Sequence, residues 1–435
     1  MAQFRTDQHK LDSGQVVTRY EVSMLPDRFT PSGTATDAFG RLRVSEPLTL
    51  FDSQHRYERN EKWATANNGT SNVVYHLSES AVDMNVGTAN NDHVYRETKL
   101  VFAYQPGKSL LIMNTFAMNE PKANLVQRVG YFSMDNGIYL ENDGITNYFV
   151  LRSNSSGTIT ETKVPQNNWK IDKFDGTGYS AQSVGVEHSG GLNISKTNIF
   201  WADVEWLGVG DVRCGFVVDG KMLVAHIFHN DNINTTTYMT TACLPIRYEI
   251  KNVGVTSSNS FLKQICSTVI SEGGYTLAGK QRSVGTLLTS PKDIPTAGTF
   301  VPIISIRLKS DRLDSIVIPS GVTFFGVTNN TQYKYKIVVG GTLSNAIFNS
   351  AATSSSVEWD THATAITGGD DVKIGYVNVG AGSGASGESF KEGLFKFQLE
   401  RDSFTGTPTI FSLVATGAAN GNDALGAIDW EEIFQ

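Results

Sequence analysis

Apolar and polar positions trade places along most of this chain, in short runs. "YKYKIVV" puts Tyr333, Tyr335, Ile337 and Val339 on one side and Lys334 and Lys336 on the other, the period of two of a half-buried strand. "LFKFQLERD" alternates likewise, with Phe395, Phe397 and Leu399 turned inward. "LLIMNTFAM" is a continuous apolar run, suited to a buried strand. Turn residues interrupt these runs at close intervals. Asp135-Asn136-Gly137, Asp143-Gly144 and Asp219-Gly220 each separate two apolar segments. An Asp-Gly or Asn-Gly pair suits a tight hairpin because that turn needs φ > 0. Strands at this spacing predict an all-β chain of antiparallel sandwiches. No helical periodicity runs for ten residues or more.

The punctuation divides the chain. Residues 1–45 read as an extended N-terminal arm, because "SMLPDRFTPSGTATDAFGRLRVSEP" is rich in Pro, Gly and small polar residues. Such an arm is either disordered or laid along a neighbouring subunit. Phe39, Leu42 and Val44 form an apolar island suited to docking in a partner's groove. Residues 46–272 make a first β-sandwich, 273–295 a linker, and 296–435 a second sandwich. The C-terminal "GAIDWEEIFQ" keeps Trp430 and Phe434, which predicts a packed end.

Composition narrows the function. Charged residues are 18% of the 435, below the ~25% usual in globular proteins, with Asn, Ser, Thr and Gly in their place. The net charge is −7 and no Lys/Arg-rich block occurs, which argues against nucleic acid as a partner. Cys214, Cys243 and Cys266 are widely spaced without a CxxC, so reduced thiols in a chain made in the cytosol are expected. "MAQFRTDQHK" lacks the apolar core of a secretory leader, and no apolar run approaches the ~18 residues of a membrane span.

Candidate chemistry is sparse. In "CGFVVDGKMLVAHIFHND", Met222, Val224, His226 and Phe228 would share one face of a regular strand, and Leu223, Ala225, Ile227 and His229 the other. His226 and His229 then point to opposite sides, and a single metal cannot take both without a bulge. Gly382 to Gly387 match G-x-G-x-x-G, but a strand pattern follows where a dinucleotide site needs a helix, so a flexible glycine loop is expected. Asp370 and Asp371 lack the six to eight oxygens calcium wants and read as a solvated turn. Asp203 and Glu205 share a strand face, a spacing compatible with a glycosidase-like pair, yet they also form the outward half of an amphipathic strand. Trp201, Trp206, Tyr238 and Tyr248 suit core packing better than a sugar groove. No catalytic, cofactor or metal residue is assigned, and the expectation is a non-enzyme.

Three stretches carry a resemblance: "DAFGRLRVSEPLTLFDSQHRY" (37–57), "DVEWLGVGDVRCGFVVDGKMLVAHIFHNDN" (203–232) with "LPIRYEIKN" (244–252), and "VPIISIRLKSDRLDSIVIPS" (301–320) with "GAIDWEE" (426–432). Together they resemble a family of tailed-bacteriophage virion structural proteins found in marine and environmental phages. The resemblance implies a concanavalin-like jelly roll for the first sandwich. It implies a virion location after synthesis in the host cytoplasm, other virion proteins as partners, and a homo-oligomer, a trimer by the habit of phage fibres. The expected role is a structural part of the tail, baseplate or fibre apparatus. A capsid decoration or head-fibre protein is the alternative, and a host-glycan-binding module is the alternative from another class.

Overall fold

The computed structural model describes residues 3–10, 16–23, 46–178, 191–276, 279–380, 384–389 and 397–434. Within the first 46 residues, Gln3–Lys10 and Val16–Ser23 pair antiparallel, with Gln3 opposite Ser23 and Lys10 opposite Val16. The expected extended arm is therefore a hairpin over these segments. Val16, Val17, Thr18, Tyr20 and Val22 are the β-branched and aromatic residues that favour strand. Phe39, Leu42 and Val44 lie outside the described residues.

Among the described residues of 47–435 there are four large antiparallel sheets in two facing pairs. The first pair is a jelly-roll sandwich. Its eight-stranded sheet runs Lys221–Phe228, Val212–Val218, Asn198–Val204, Ser109–Ala117, Ser260–Glu272, Ala81–Val86 and Asn72–His76, with Pro47–Ser53 also on Ser260–Glu272. Its seven-stranded sheet runs Thr160–Pro165, Asn147–Ser153, Gly137–Asn142, Leu125–Phe132, Ile246–Asn252, His93–Thr98 and Trp63–Asn68. Ile112, Phe200 and Phe216 from the first sheet meet Val129, Ile138, Leu140, Phe149 and Tyr248 from the second in one core. Phe149 stacks on Trp169 with ring centroids 4.1 Å apart. All three Asp/Asn-Gly hairpins form at the positions read from sequence. At the third, Asp219 (φ 52°) and Gly220 (φ 70°) are both left-handed, as a two-residue turn demands.

The second sandwich pairs a five-stranded with a six-stranded sheet around Ile304, Ile306, Phe324, Tyr335, Leu413 and Trp430. Trp430 is fully buried, so the C-terminal strand Asn422–Phe434 is packed. The segment read as a linker is not free chain. Lys280–Gly285 and Lys292–Ile294 both pair with Asn422–Phe434. Its Gly and Ser content reflects an edge position, where a weak strand former is tolerated. Alternation in "YKYKIVV" holds: Tyr333, Tyr335 and Ile337 lie in this core with Val339 packed against it, and Val338 is buried outside that cluster.

The two sandwiches share a joint. Val101, Ala103 and Cys243 of the first pack on Ile316 and Ile318 of the second, with Ile433 alongside. Gln398 donates to the Val101 carbonyl (3.2 Å), and Arg401 to the Thr98 carbonyl (2.6 Å). The Arg401 guanidinium also lies 3.2 Å from Glu97 and 3.1 Å from Asp314. Buried apolar contact supplies attraction, and charge-assisted bonds fix the register of one body on the other.

Candidate functional site

Alternate residues of the seven-stranded sheet point away from the core, and register aligns their charges. Across four strands, Glu141 lies opposite Arg128, Arg128 opposite Glu249, and Glu249 opposite Tyr95. The neighbouring row runs Lys163, Val150, Tyr139, Gly130, Arg247, Glu97. Cross-strand neighbours of opposite charge attract, and here the pairs are continuous. Arg128 holds Glu141 at 2.6 Å and Glu249 at 3.4 Å. Lys163 holds Glu141 at 2.6 Å and Glu161 at 3.1 Å. Glu161 also takes bonds from Arg152 (2.7 Å) and the Tyr139 hydroxyl (2.7 Å). His93 reaches Glu249 at 2.8 Å.

Aromatic rings lie between the charges. Arg152 sits over Tyr139 (5.0 Å) and Phe132 (5.7 Å), and Arg247 over Tyr95 (4.8 Å) and Phe404 (5.5 Å). Phe132, Tyr139 and Val150 form their own small apolar cluster. Gly130 is required at the crossing of the rows: a Cβ there would lie 2.5 Å from the Ile138 carbonyl oxygen and 2.6 Å from Tyr139 Cα. At one end the row is closed by the Arg401–Asp402/Thr407–Pro408 hairpin. Its Phe404 packs edge-on against Tyr95, and Ser403 donates to Glu97.

Burial and opposed charges set the protonation of the carboxylates on this face. Burial would raise Glu249, but His93, Arg128 and Arg247 outweigh it and keep the carboxyl well below its usual range. Burial likewise works upward on Glu161, yet Tyr139, Arg152 and Lys163 bring it down to about 2. Glu97 goes the other way. Burial pushes it up to about 7 against the pull of Arg401 and Arg247. A carboxylic acid poised near neutrality is what glycoside hydrolysis needs, together with a second carboxylate and room for the sugar. Glu97 is sealed under Ser403 and Arg401, its side chain 3% exposed, so no sugar oxygen can approach it.

The residues singled out from sequence fall elsewhere. A bulge at Ala225 sets Cys214 opposite His226 and Gly215 opposite Val224. The strict alternation expected across 222–229 therefore breaks, and Leu223 packs against the same core as Phe228. His226 is buried edge-on to Phe228 and burial lowers its pKa to about 4. His229 is exposed and meets Asp211 at 3.0 Å. Asp203 is buried beside Arg213, with burial pushing its carboxyl upward against the arginine's pull. Glu205 lies beyond the strand end at Val204, so the two acids do not share a strand face. Asp370 and Asp371 open the strand Asp370–Val379 instead of forming a turn, and Asp371 pairs with Lys336 at 2.5 Å. Of the glycine cluster, Gly384–Ser389 is a strand paired with Ile316–Gly326, not a loop. Tyr238 and Tyr248 lie in the core with Trp206 packed against it, as core packing predicts, and Trp201 is buried outside that cluster. Among the described residues no group of three His, Cys, Asp or Glu side chains is placed to hold a metal, and no helix is long and apolar enough to cross a membrane.

Sequence reading missed the charged rows altogether. Their signal lay in the outward positions of "VQRVGYF", "GIYLEN", "IRYEIKN" and "HVYRET", which hold Arg, Glu and Tyr where a solvated strand would hold Ser or Thr.

No protein-family model matches the chain, and no curated protein matches its sequence. Among solved structures it is similar to Bacillus licheniformis beta-glucanase, with 12% identity, TM-score 0.32, and coverage of 52% of this chain and 98% of that one. It is also similar to a carbohydrate esterase from Shiga toxin-encoding bacteriophage phi24B (13% identity, TM-score 0.30, 52% of this chain and 100% of that one). A third similarity is to the CBM2 module of Lactobacillus casei BL23 phage J-1 evolved Dit (6% identity, TM-score 0.33, 54% and 100%). Matches this distant carry no argument about activity or ligand.

Proposed function

We propose that this chain is a non-enzymatic structural protein of a tailed-phage virion, a part of the tail, baseplate or fibre apparatus. It would form a homo-oligomer through its N-terminal segment and its sandwich surfaces. The observation that carries this reading is the joint centred on Arg401, which fastens two sandwiches into one block. Charge pairing across the seven-stranded sheet supports it, because it stiffens a face without leaving a poised, accessible acid. The three phage-like stretches agree with it.

The test is the chain's place and copy number in purified particles. Co-fractionation with isolated tails, at a copy number set by tail symmetry, is the expected result. Fractionation with heads would transfer the reading to capsid decoration, and absence from the particle would refute both. Deleting residues 1–36 is expected to leave the sandwiches folded and impair incorporation. Normal incorporation of that variant would exclude the N-terminal segment as the attachment.

A further inference from the structure

Where the two sandwiches meet, an open cleft of about 810 Å³ lies against the Arg401–Asp402/Thr407–Pro408 hairpin. A second hollow of about 350 Å³ shares Lys99, Val339, Asp370, Glu400, Thr409 and Ile410 with it. Ligand sites commonly span about 300–1,000 Å³, so the space suits a small ligand or a few residues of a polymer. It is separate from the charged rows, which the hairpin closes off on its other flank.

The walls state what would fit. Phe348 is half-buried, and the Arg307 guanidinium backs its ring at 3.8 Å from the centroid. Arg307 is in turn fixed by Glu358 at 2.7 Å. The ring is thus held in place before any ligand arrives, which lowers the entropic cost of stacking on it. Hydroxyls of Thr342, Thr405, Thr407 and Thr409 line the same space. Glu400 is half-buried between the two hollows. No hydrogen bond or close ion pair reaches its carboxylate among the described residues. Burial raises its pKa against the pull of Lys99, Lys62 and Arg401. At Gly340 (φ 81°) the backbone is bare, since an added Cβ would meet nothing within 4 Å.

Charge excludes several ligands. Glu358, Asp370, Glu400 and Asp402 outnumber Lys99 and Arg307 in the lining, so phosphates, acidic sugars and nucleic acid are repelled. A lipid would find too many polar groups. A fixed ring beside hydroxyl and carboxylate acceptors suits a polyhydroxylated molecule with apolar CH faces. The geometry points to this cleft as a binding site for a neutral oligosaccharide, held by stacking on Phe348 and by hydrogen bonds from sugar hydroxyls to Glu400. The site goes beyond the assembly role and does not depend on where the protein sits in a particle.

The test uses the full chain and defined probes: cellohexaose, laminarihexaose, maltohexaose and chitohexaose as neutral hexamers, hexagalacturonate as the acidic one, and a lysine-rich decapeptide. Calorimetry is expected to show binding of at least one neutral hexamer, with an affinity that salt between 50 and 500 mM leaves unchanged. Phe348→Ala and Glu400→Gln should each weaken it at least tenfold while leaving the denaturation midpoint in place. Hydrogen exchange of the unsubstituted chain should slow at residues 340–348 and 400–409 when that hexamer is added, which reads the site without any substitution. Blanks for all four neutral hexamers, full affinity in both variants, protection elsewhere, or preference for hexagalacturonate or the peptide would each overturn the assignment. None of these results bears on whether the chain fractionates with tails.

Discussion

Replacing Arg128 by Met tests whether the charged rows hold the first sandwich together. Arg128 is shared by Glu141 and Glu249, whose side chains are 2% and 7% exposed. Breaking a buried pair by removing one partner costs about 3–5 kcal/mol, because a charge is left uncompensated. Here Glu141 keeps Lys163 and Glu249 keeps His93, so the lower end applies, about 3 kcal/mol. Met retains most of the apolar stem, which limits the loss to charge. The sign with pH follows from Glu249, whose folded pKa is depressed. The stability such a group contributes is present above its unfolded pKa and is lost as pH falls through its folded one. The gap between wild type and Arg128→Met should therefore be widest at pH 7 and narrow at pH 4, as the variant's carboxylates take up protons first. Urea denaturation at both pH values measures it, followed by tryptophan fluorescence from Trp63, Trp169, Trp201 and Trp206 of this sandwich. A second substitution, Glu249→Gln, should recover about 1 kcal/mol or more by removing the stranded charge. A cost below about 1 kcal/mol at pH 7, or an equal cost at pH 4, would refute the reasoning.

Two further outcomes follow from the same face. Gly130→Ala pushes a methyl into the Ile138 carbonyl and Tyr139, and should cost about 1–3 kcal/mol in thermal denaturation; an unchanged midpoint would contradict the packing described. Glu97 has a folded pKa raised from 4.5 to about 7, so the native state binds the proton more tightly and stability falls as pH rises through that window, by up to about 3 kcal/mol. Glu97→Gln should remove that slope, and a difference between variant and wild type that is flat from pH 4 to 8 would count against it.

Much of the fold was legible because its signals are local. Asp219-Gly220 announces a hairpin by itself, since few other residues accept two successive positive φ angles. The hidden features are those that depend on pairing between distant segments. Arg128 and Glu249 look like ordinary outward charges until two strands 121 positions apart are set side by side. Nothing in "KMLVAHIF" marks the bulge at Ala225, because a bulge answers to the partner strand and to the Ile171 and Asp172 amides bonded to the Ala225 carbonyl. Residues 280–294 read as linker because edge strands tolerate Gly and Ser, and the hairpin near the N-terminus was hidden behind the proline-rich stretch that follows it. The junction cleft drew no notice from sequence, since Phe348, Glu400 and Lys99 come together only after both sandwiches dock.

The Arg401 joint also bears on the order of events at the ribosome. Glu97 emerges some three hundred residues before Arg401, and the apolar surface of Val101, Ala103 and Cys243 emerges before the Ile316 and Ile318 that cover it. A nascent chain stalled near residue 300 would carry that surface uncovered, and is expected to be cut by protease faster than the released protein. The first sandwich is thus a half-finished object until the last tenth of the chain has been translated, and its uncovered joint surface is the part most exposed to aggregation midway through synthesis.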